Sequence, residues 1–235
     1  MITLFTSISS CKTTTEGIVM TKNTQSNIEN LQHEFVQYSS EKGKQILYHP
    51  TKPVENIADS KIQKIIYNMK THLQGKGIGL AANQIGEPLQ IFIIEYLPNK
   101  EKYNYLNFPS IPLQVFINPK ITAVSKEKMS FWHGCLSAID RPRGLIATYS
   151  WIEYDAYDEN GGHKIDRLDG LSAIIFQHEF RHLLGSLYID HAKNFLNLDE
   201  LKSLFELGKL KPYEPADDNV PLLLSDYKVG DPIFK

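Results

Sequence analysis

The sequence predicts an α+β domain in which antiparallel sheets pack around a central, chemistry-bearing helix. Three observations predict it. Short apolar runs rich in β-branched and aromatic residues are separated by Pro, Asn and Gly turn signals. A helix-period stretch over 169–184 carries an apolar face that must bury itself against those strands. That same stretch contains His178-Glu179-Phe180-Arg181-His182, which puts two imidazoles and a carboxylate on one helical turn.

Residues 1–43 are rich in Ser, Thr, Asn, Gln and Lys, which predicts a flexible extension with one short helical turn around 28–36. The catalytic domain is expected over 44–210, starting near Ile46-Leu47-Tyr48 before the His49-Pro50 break. Ile62, Ile65, Ile66, Met69 and Leu73 follow helical spacing, so 60–74 should be an amphipathic helix with Ser60 near its cap. Gly75, Gly77 and Gly79 end it and open a tight backbone segment. Runs 89–97 and 115–118 read as strands bounded by Pro and Asn, and 145–157 as a longer β-branched and aromatic stretch. Asp158-Glu159-Asn160-Gly161-Gly162 signals a hairpin turn into a strand over 163–168. Asp169 should cap the central helix and Gly185 end it, with Leu171, Ile174, Ile175 and Leu183 on the packing face. Asn197-Leu198-Asp199-Glu200 resembles a capping arrangement for a last helix over 198–207, stopped by Gly208. The proline-bearing tail, 211–235, is expected to run extended over the surface.

Composition narrows the function. Charge is nearly balanced, at −2, so neither a nucleic-acid footprint nor a polybasic membrane patch is expected. The longest apolar run falls short of a membrane span. Two cysteines, Cys11 and Cys135, cannot make a disulfide framework; a catalytic or metal-binding thiol in a reducing, cytoplasmic compartment fits better. Cys11 follows Ile8-Ser9-Ser10, a faint lipoprotein cleavage box, but no basic residue precedes it, so export through Cys11 is the minor alternative. A leader ahead of a start at Met20 suits the same stretch.

Residues four apart on a helix lie over one another, so His178 and His182 can reach one metal ion, with Glu179 beside the open position as general base for a water. A third protein ligand is needed. Tyr188 occupies the place where one metalloprotease pattern has a third His, and His191 lies off that pattern. Glu200 or Glu206 from a later helix would complete a second pattern. Cys135, in Trp132-His133-Gly134-Cys135-Leu136-Ser137, is the third candidate, with Gly134 permitting the close turn that would bring the thiolate in. Upstream, Gly77-Ile78-Gly79-Leu80-Ala81-Ala82-Asn83-Gln84 offers small residues that admit a ligand to the backbone, and a carboxamide donor for an oxyanion.

In order, spacing and wording these three segments resemble the motifs of the peptide deformylases. The likeness extends over about 45–195 and includes Tyr48-His49-Pro50, Val115-Phe116-Ile117-Asn118-Pro119 and Asp169-Gly170-Leu171. It implies that Cys135, His178 and His182 bind one divalent ion with water in the fourth position, ferrous iron natively, with zinc, nickel or cobalt accepted. Glu179 would pass a proton from that water to the departing amine, while the Gln84 carboxamide and the Leu136 backbone N–H stabilise the oxyanion. Gly79 would hold the substrate main chain. Ile78, Phe131, Leu171, Ile174 and Ile175 would line the pocket for a first methionine, and His133 is grouped with them as substrate-binding. The implied reaction removes the formyl group from formyl-methionyl nascent peptides near the ribosome exit and releases formate.

Three positions depart from the family pattern. His133 stands where the family has Glu, Arg181 where it has Asp, and Ala147 near where it carries a strand Arg, although Arg141 and Arg143 lie close. These exchanges motivate an alternative, a deformylase-like hydrolase for another N-formyl or small amide substrate. An endopeptidase completed by Glu200 or Glu206, and a non-catalytic metal-bound binding module, are the remaining readings.

Overall fold

The structure is a computed structural model that describes residues 34–98 and 108–233. Cys11, Met20 and residues 28–33 of the expected helical turn lie outside the described residues. The chain runs through α1 (Glu41–Ile46), α2 (Ser60–Leu73), β1 (Gly79–Ala81), β2 (Ile91–Tyr96), β3 (Ile111–Val124), β4 (Lys128–His133) and β5 (Arg143–Tyr149). It continues through β6 (Trp151–Tyr157), β7 (His163–Asp169), α3 (Gly170–Leu183), β8 (Asn194–Leu196), α4 (Leu198–Glu206) and β9 (Tyr213–Pro215). One antiparallel sheet has the order β1-β2-β3-β6-β7 and a second the order β8-β5-β4-β9.

Both faces of the larger sheet are covered at β2, which explains why Ile91-Phe92-Ile93-Ile94 reads as an apolar run rather than an alternation. Ile91 and Ile93 join Ile65, Ile66, Met69 and Leu73 of α2 in one cluster, while Phe92, Ile94 and Tyr96 join Ile175, Phe176 and Phe180 of α3 in another. Phe176 lies 4.9 Å from the Phe92 ring and 5.1 Å from that of Phe116, both edge to face. Removing so enclosed a ring costs about 3–5 kcal/mol. Every residue of α3 from Ala173 to Leu183 is buried, so this helix has protein on all sides. Its Gln177 reaches the second sheet, accepting from Tyr149 N (2.8 Å) and donating to Tyr149 O (2.9 Å). Gly185, at φ +83°, then stops the chain from continuing as helix.

Several expectations need correction. Within the segment expected to be a flexible extension, Phe35 and Val36 are buried in the core and α1 begins at Glu41. Two large apolar side chains amid polar neighbours are enough to dock a short segment, whatever the average composition. At the other end, β9 pairs with β4 and Leu223 and Leu224 are buried, so the tail is part of the fold rather than a surface strap. Asn118 and Pro119 do not bound a short strand; β3 runs through them with a register shift between Ile117 and Lys120, the bulge absorbing the missing proline donor. The stretch 145–157 is two strands that leave one sheet for the other at Ser150. Strand β4, which carries Phe131 and His133 towards Cys135, has no counterpart among the expected elements. Asp169 occupies the N-cap position of α3 but makes no side-chain capping bond.

Candidate metal centre and catalytic site

The site forms where α3 passes β1 and the loop after β4. Helical spacing stacks His178 and His182 on one face, and the turn after β4 carries Cys135 to them. Donor atoms of Cys135, His178 and His182 all lie within 4.8 Å of one another, with Cys135 Sγ 3.2 Å from His182 Nε2. Burial holds both imidazoles neutral, that of His178 down to about 4, and pushes the Cys135 thiol up to about 12. Neutral imidazoles are ready ligands, whereas the thiol must lose its proton to become one.

Gln84 enters from the other side. Its Oε1 accepts from Ala81 N at 2.8 Å, which turns the amide nitrogen towards Cys135 Sγ and Ser137 Oγ, each 3.3 Å away. Leu136 opens a short 3-10 turn, Leu136–Ala138, immediately after the cysteine. Glu179 is buried and presses against Gly79, where a methyl group would come within 2.3 Å of Glu179 Oε1. Gly79 is therefore small because the carboxyl lies against it. Burial raises the Glu179 pKa well above the ordinary carboxylate value, and its Oε2 has no hydrogen-bond partner.

Ile78, Phe131, Leu171, Ile174 and Ile175 fall in or against one core cluster, and Ile175 also borders Gly79. His133 lies beside this group, its ring meeting that of Phe131 edge on at 5.4 Å. It is 2% exposed, and its Nδ1 lies 3.0 Å from His178 Nδ1. The other third-ligand candidates are elsewhere: Glu200 and Glu206 are exposed on α4, Tyr188 donates to Pro142 O at 2.7 Å, and His191 pairs with Ser186 Oγ at 3.1 Å. Gly134 has a role other than a tight turn, since its φ is not positive; a methyl group there would collide with the Arg143 guanidinium, which crosses over it.

Some site-building residues are not apparent from spacing. Asn83 Nδ2 holds the His182 carbonyl at 2.8 Å, satisfying one of the open acceptors at the end of α3. Val36 N donates to Gln84 O and Tyr38 N to Ser137 O, each at 2.8 Å, and Gln37 Nε2 donates to Leu136 O at 3.0 Å. Segment 36–38 thus ties the Gln84 loop to the Cys135 loop. Arg181 faces away from the donor cluster and pairs with Asp226 of the tail, with Arg181 NH2 2.8 Å from Oδ2, while its Nε donates to Ser186 Oγ. The sequence signal for this was Arg181 itself, the one Lys or Arg on a helix buried from Ala173 to Leu183.

A thiol and two neutral imidazoles within ligand reach fit a borderline-soft divalent cation such as zinc or ferrous iron. The unpartnered His182 Nδ1 and Glu179 Oε2 nearby mark the interior as built for more than packing.

A family model described as Polypeptide deformylase matches residues 33–197. Peptide deformylase 2 of Nostoc sp. is 37% identical over 145 residues, covering 61% of this chain and 79% of the relative. Peptide deformylase 2 of Ralstonia nicotianae is 35% identical over 175 residues, covering 74% and 93%. The solved structure of a peptide deformylase from Synechococcus elongatus in complex with actinonin superposes with a TM-score of 0.58 at 30% identity, over 74% of this chain and 85% of that one.

Proposed function

This chain belongs to the peptide deformylase family, whose members hydrolyse the N-formyl group of nascent polypeptides, and on that premise we propose which of its residues do the work. Cys135, His178 and His182 hold the metal ion. When bound, such a cation lowers the pKa of a water and polarises the formyl carbonyl. Glu179 takes the proton as oxygen attacks the formyl carbon, and delivers it to the nitrogen as the C–N bond breaks, leaving formate and a free amino terminus. The Gln84 amide and the Leu136 backbone N–H stabilise the oxyanion; losing one such donor typically costs about 2.7–4 kcal/mol. Gly79 holds the substrate main chain, and Ile78, Phe131, Leu171, Ile174 and Ile175 receive the methionine side chain.

The observation that carries this reading is the meeting of three donors within 4.8 Å beside a buried carboxyl. Two of the departures from the family pattern bear on substrate choice. His133 and Arg181 are both buried, one behind His178 and one against the tail, which favours the formyl-methionyl substrate over a retargeted one. Ferrous iron is the native metal in this proposal, the enzyme works in the cytoplasm, and it meets its substrate near the ribosome exit. None of the described helices is long and apolar enough to cross a membrane. Protein purified anaerobically should hold about one iron per chain and release formate from a formyl-Met tripeptide, and Cys135→Ser should lose the metal. A full metal complement in Cys135→Ser would overturn the ligand set.

A further inference from the structure

We propose that His133 is a positioning residue that locks His178 in the tautomer able to bind metal. This rests on the ligand assignment above and adds to it a role for the residue that replaces the family's glutamate. The two rings are nearly coplanar, 6° apart, and meet edge to edge with their Nδ1 atoms at 3.0 Å. Two ring nitrogens at that distance share one proton, so one donates and the other accepts. If His178 donates, its Nδ1 carries the proton and Nε2 is bare, free to face Cys135 and His182. If His133 donates instead, the neutral His178 ring carries its proton on Nε2 and cannot be a ligand there.

The surroundings restrict His133 to this contact. It is 2% exposed at the end of β4, and the Phe131 ring meets it edge on at 5.4 Å. Its other nitrogen, Nε2, is buried without a hydrogen-bond partner. Nδ1 towards His178 is therefore its one polar engagement among the described residues. A carboxylate at this position could only accept from His178. An imidazole can do the same, in one tautomer, which is how the exchange of Glu for His leaves a usable ligand behind it. Orienting partners of this kind typically govern metal affinity by about 10–100-fold.

Two measurements test this. In the metal-free protein at neutral pH, long-range 1H–15N correlation should show the His178 proton on Nδ1; a proton on Nε2 would overturn the proposal without any substitution. Competition of zinc against a chelator should then show His133→Phe weakened by about 10–100-fold, with His133→Asn and His133→Glu, which keep an acceptor near Nδ1, within about threefold of the parent. His133→Phe binding as tightly as the parent would also overturn it. Should His133→Phe not fold, as judged by circular dichroism, His133→Ala takes its place against His133→Asn, and equal affinities of that pair count against the role. Cys135→Ser, run alongside, separates the two readings: if it retains full affinity the ligand set itself is wrong, whereas its loss beside an unaffected His133→Phe removes only the positioning role.

Discussion

Glu179 and Arg181 stand two residues apart on one buried helix, 3% and 5% exposed, and their surroundings could hardly differ more. Arg181 points away from the donor cluster, and Asp226 of the C-terminal tail and Ser186 just past the helix accept hydrogen bonds from its guanidinium. Glu179 points to Gly79 and the donor cluster, and its Oε2 has no partner. An unpaired buried carboxyl resists ionisation. The comparison separates two uses of buried polarity. One side of the helix is completed for stability; the other is left incomplete, beside the three donors proposed to hold a cation.

The largest effect expected from this contrast is on the incomplete side. Glu179→Ala should lower formate release by about 10²–10⁴-fold while leaving the melting temperature of the metal-free protein unchanged or raised, since a buried unpaired carboxyl is removed. A variant retaining more than a tenth of the parent rate would erase the distinction. Next comes the completed side. Asp226→Ala strands Arg181 and should cost about 2–3 kcal/mol in a denaturant titration, less than for a fully enclosed pair because the Asp226 side chain is 58% exposed. Arg181→Met, which leaves only a solvated carboxylate behind, should cost about 1 kcal/mol or less. If the order of these two is reversed, the burial asymmetry is not what governs the pair.

Metal uptake gives a third contrast. The Cys135 thiol, raised to about 12, is protonated at neutral pH and must release that proton on binding. Zinc affinity should therefore rise about tenfold per pH unit between roughly pH 6 and 8, readable by calorimetry in buffers of different ionisation enthalpy. Uptake with no proton release would exclude the thiolate as a ligand. The smallest effect is at low pH. Hydrogen bonding from Arg181 holds the Asp226 carboxyl below its ordinary 3.8, so the unfolded chain binds the proton more readily than the folded one. The stability this adds is complete above about pH 4 and is lost as pH falls through the lowered native value. Asp226→Asn should flatten the acid limb of a stability–pH curve there; an unchanged limb would mean the pair does not contribute.

The pattern of what was legible follows the range of the interactions. Local signals translated well where one element decided the outcome: the apolar spacing of Ile65, Ile66, Met69 and Leu73 became α2, Asn197 became a side-chain cap on Glu200 N, and the turn at 158–162 joined two strands. Signals failed where a neighbour far along the chain decided it. Phe35 and Val36 look like strays in a polar segment until the Gln84 loop offers Val36 a carbonyl. Strand β4 has an ordinary mixed composition and owes its conformation to β5 on one side and β9 on the other. Pro119 reads as a strand end because a proline lacks a donor, yet a bulge accommodates it.

Spacing within one helix was enough to stack His178 and His182 on a common face with Glu179 on the same turn, because α-helical geometry is set by the backbone and holds in any fold. The family likeness followed from three motifs in order. Spacing alone left Cys135, Glu200 and Glu206 open and the family likeness pointed to Cys135; only the tertiary structure could put that thiol beside the imidazoles, send Arg181 to Asp226, and set His133 against His178. Each of those pairings spans at least 45 residues of chain, and no local rule reaches so far. The choice is made by how two sheets close on a helix.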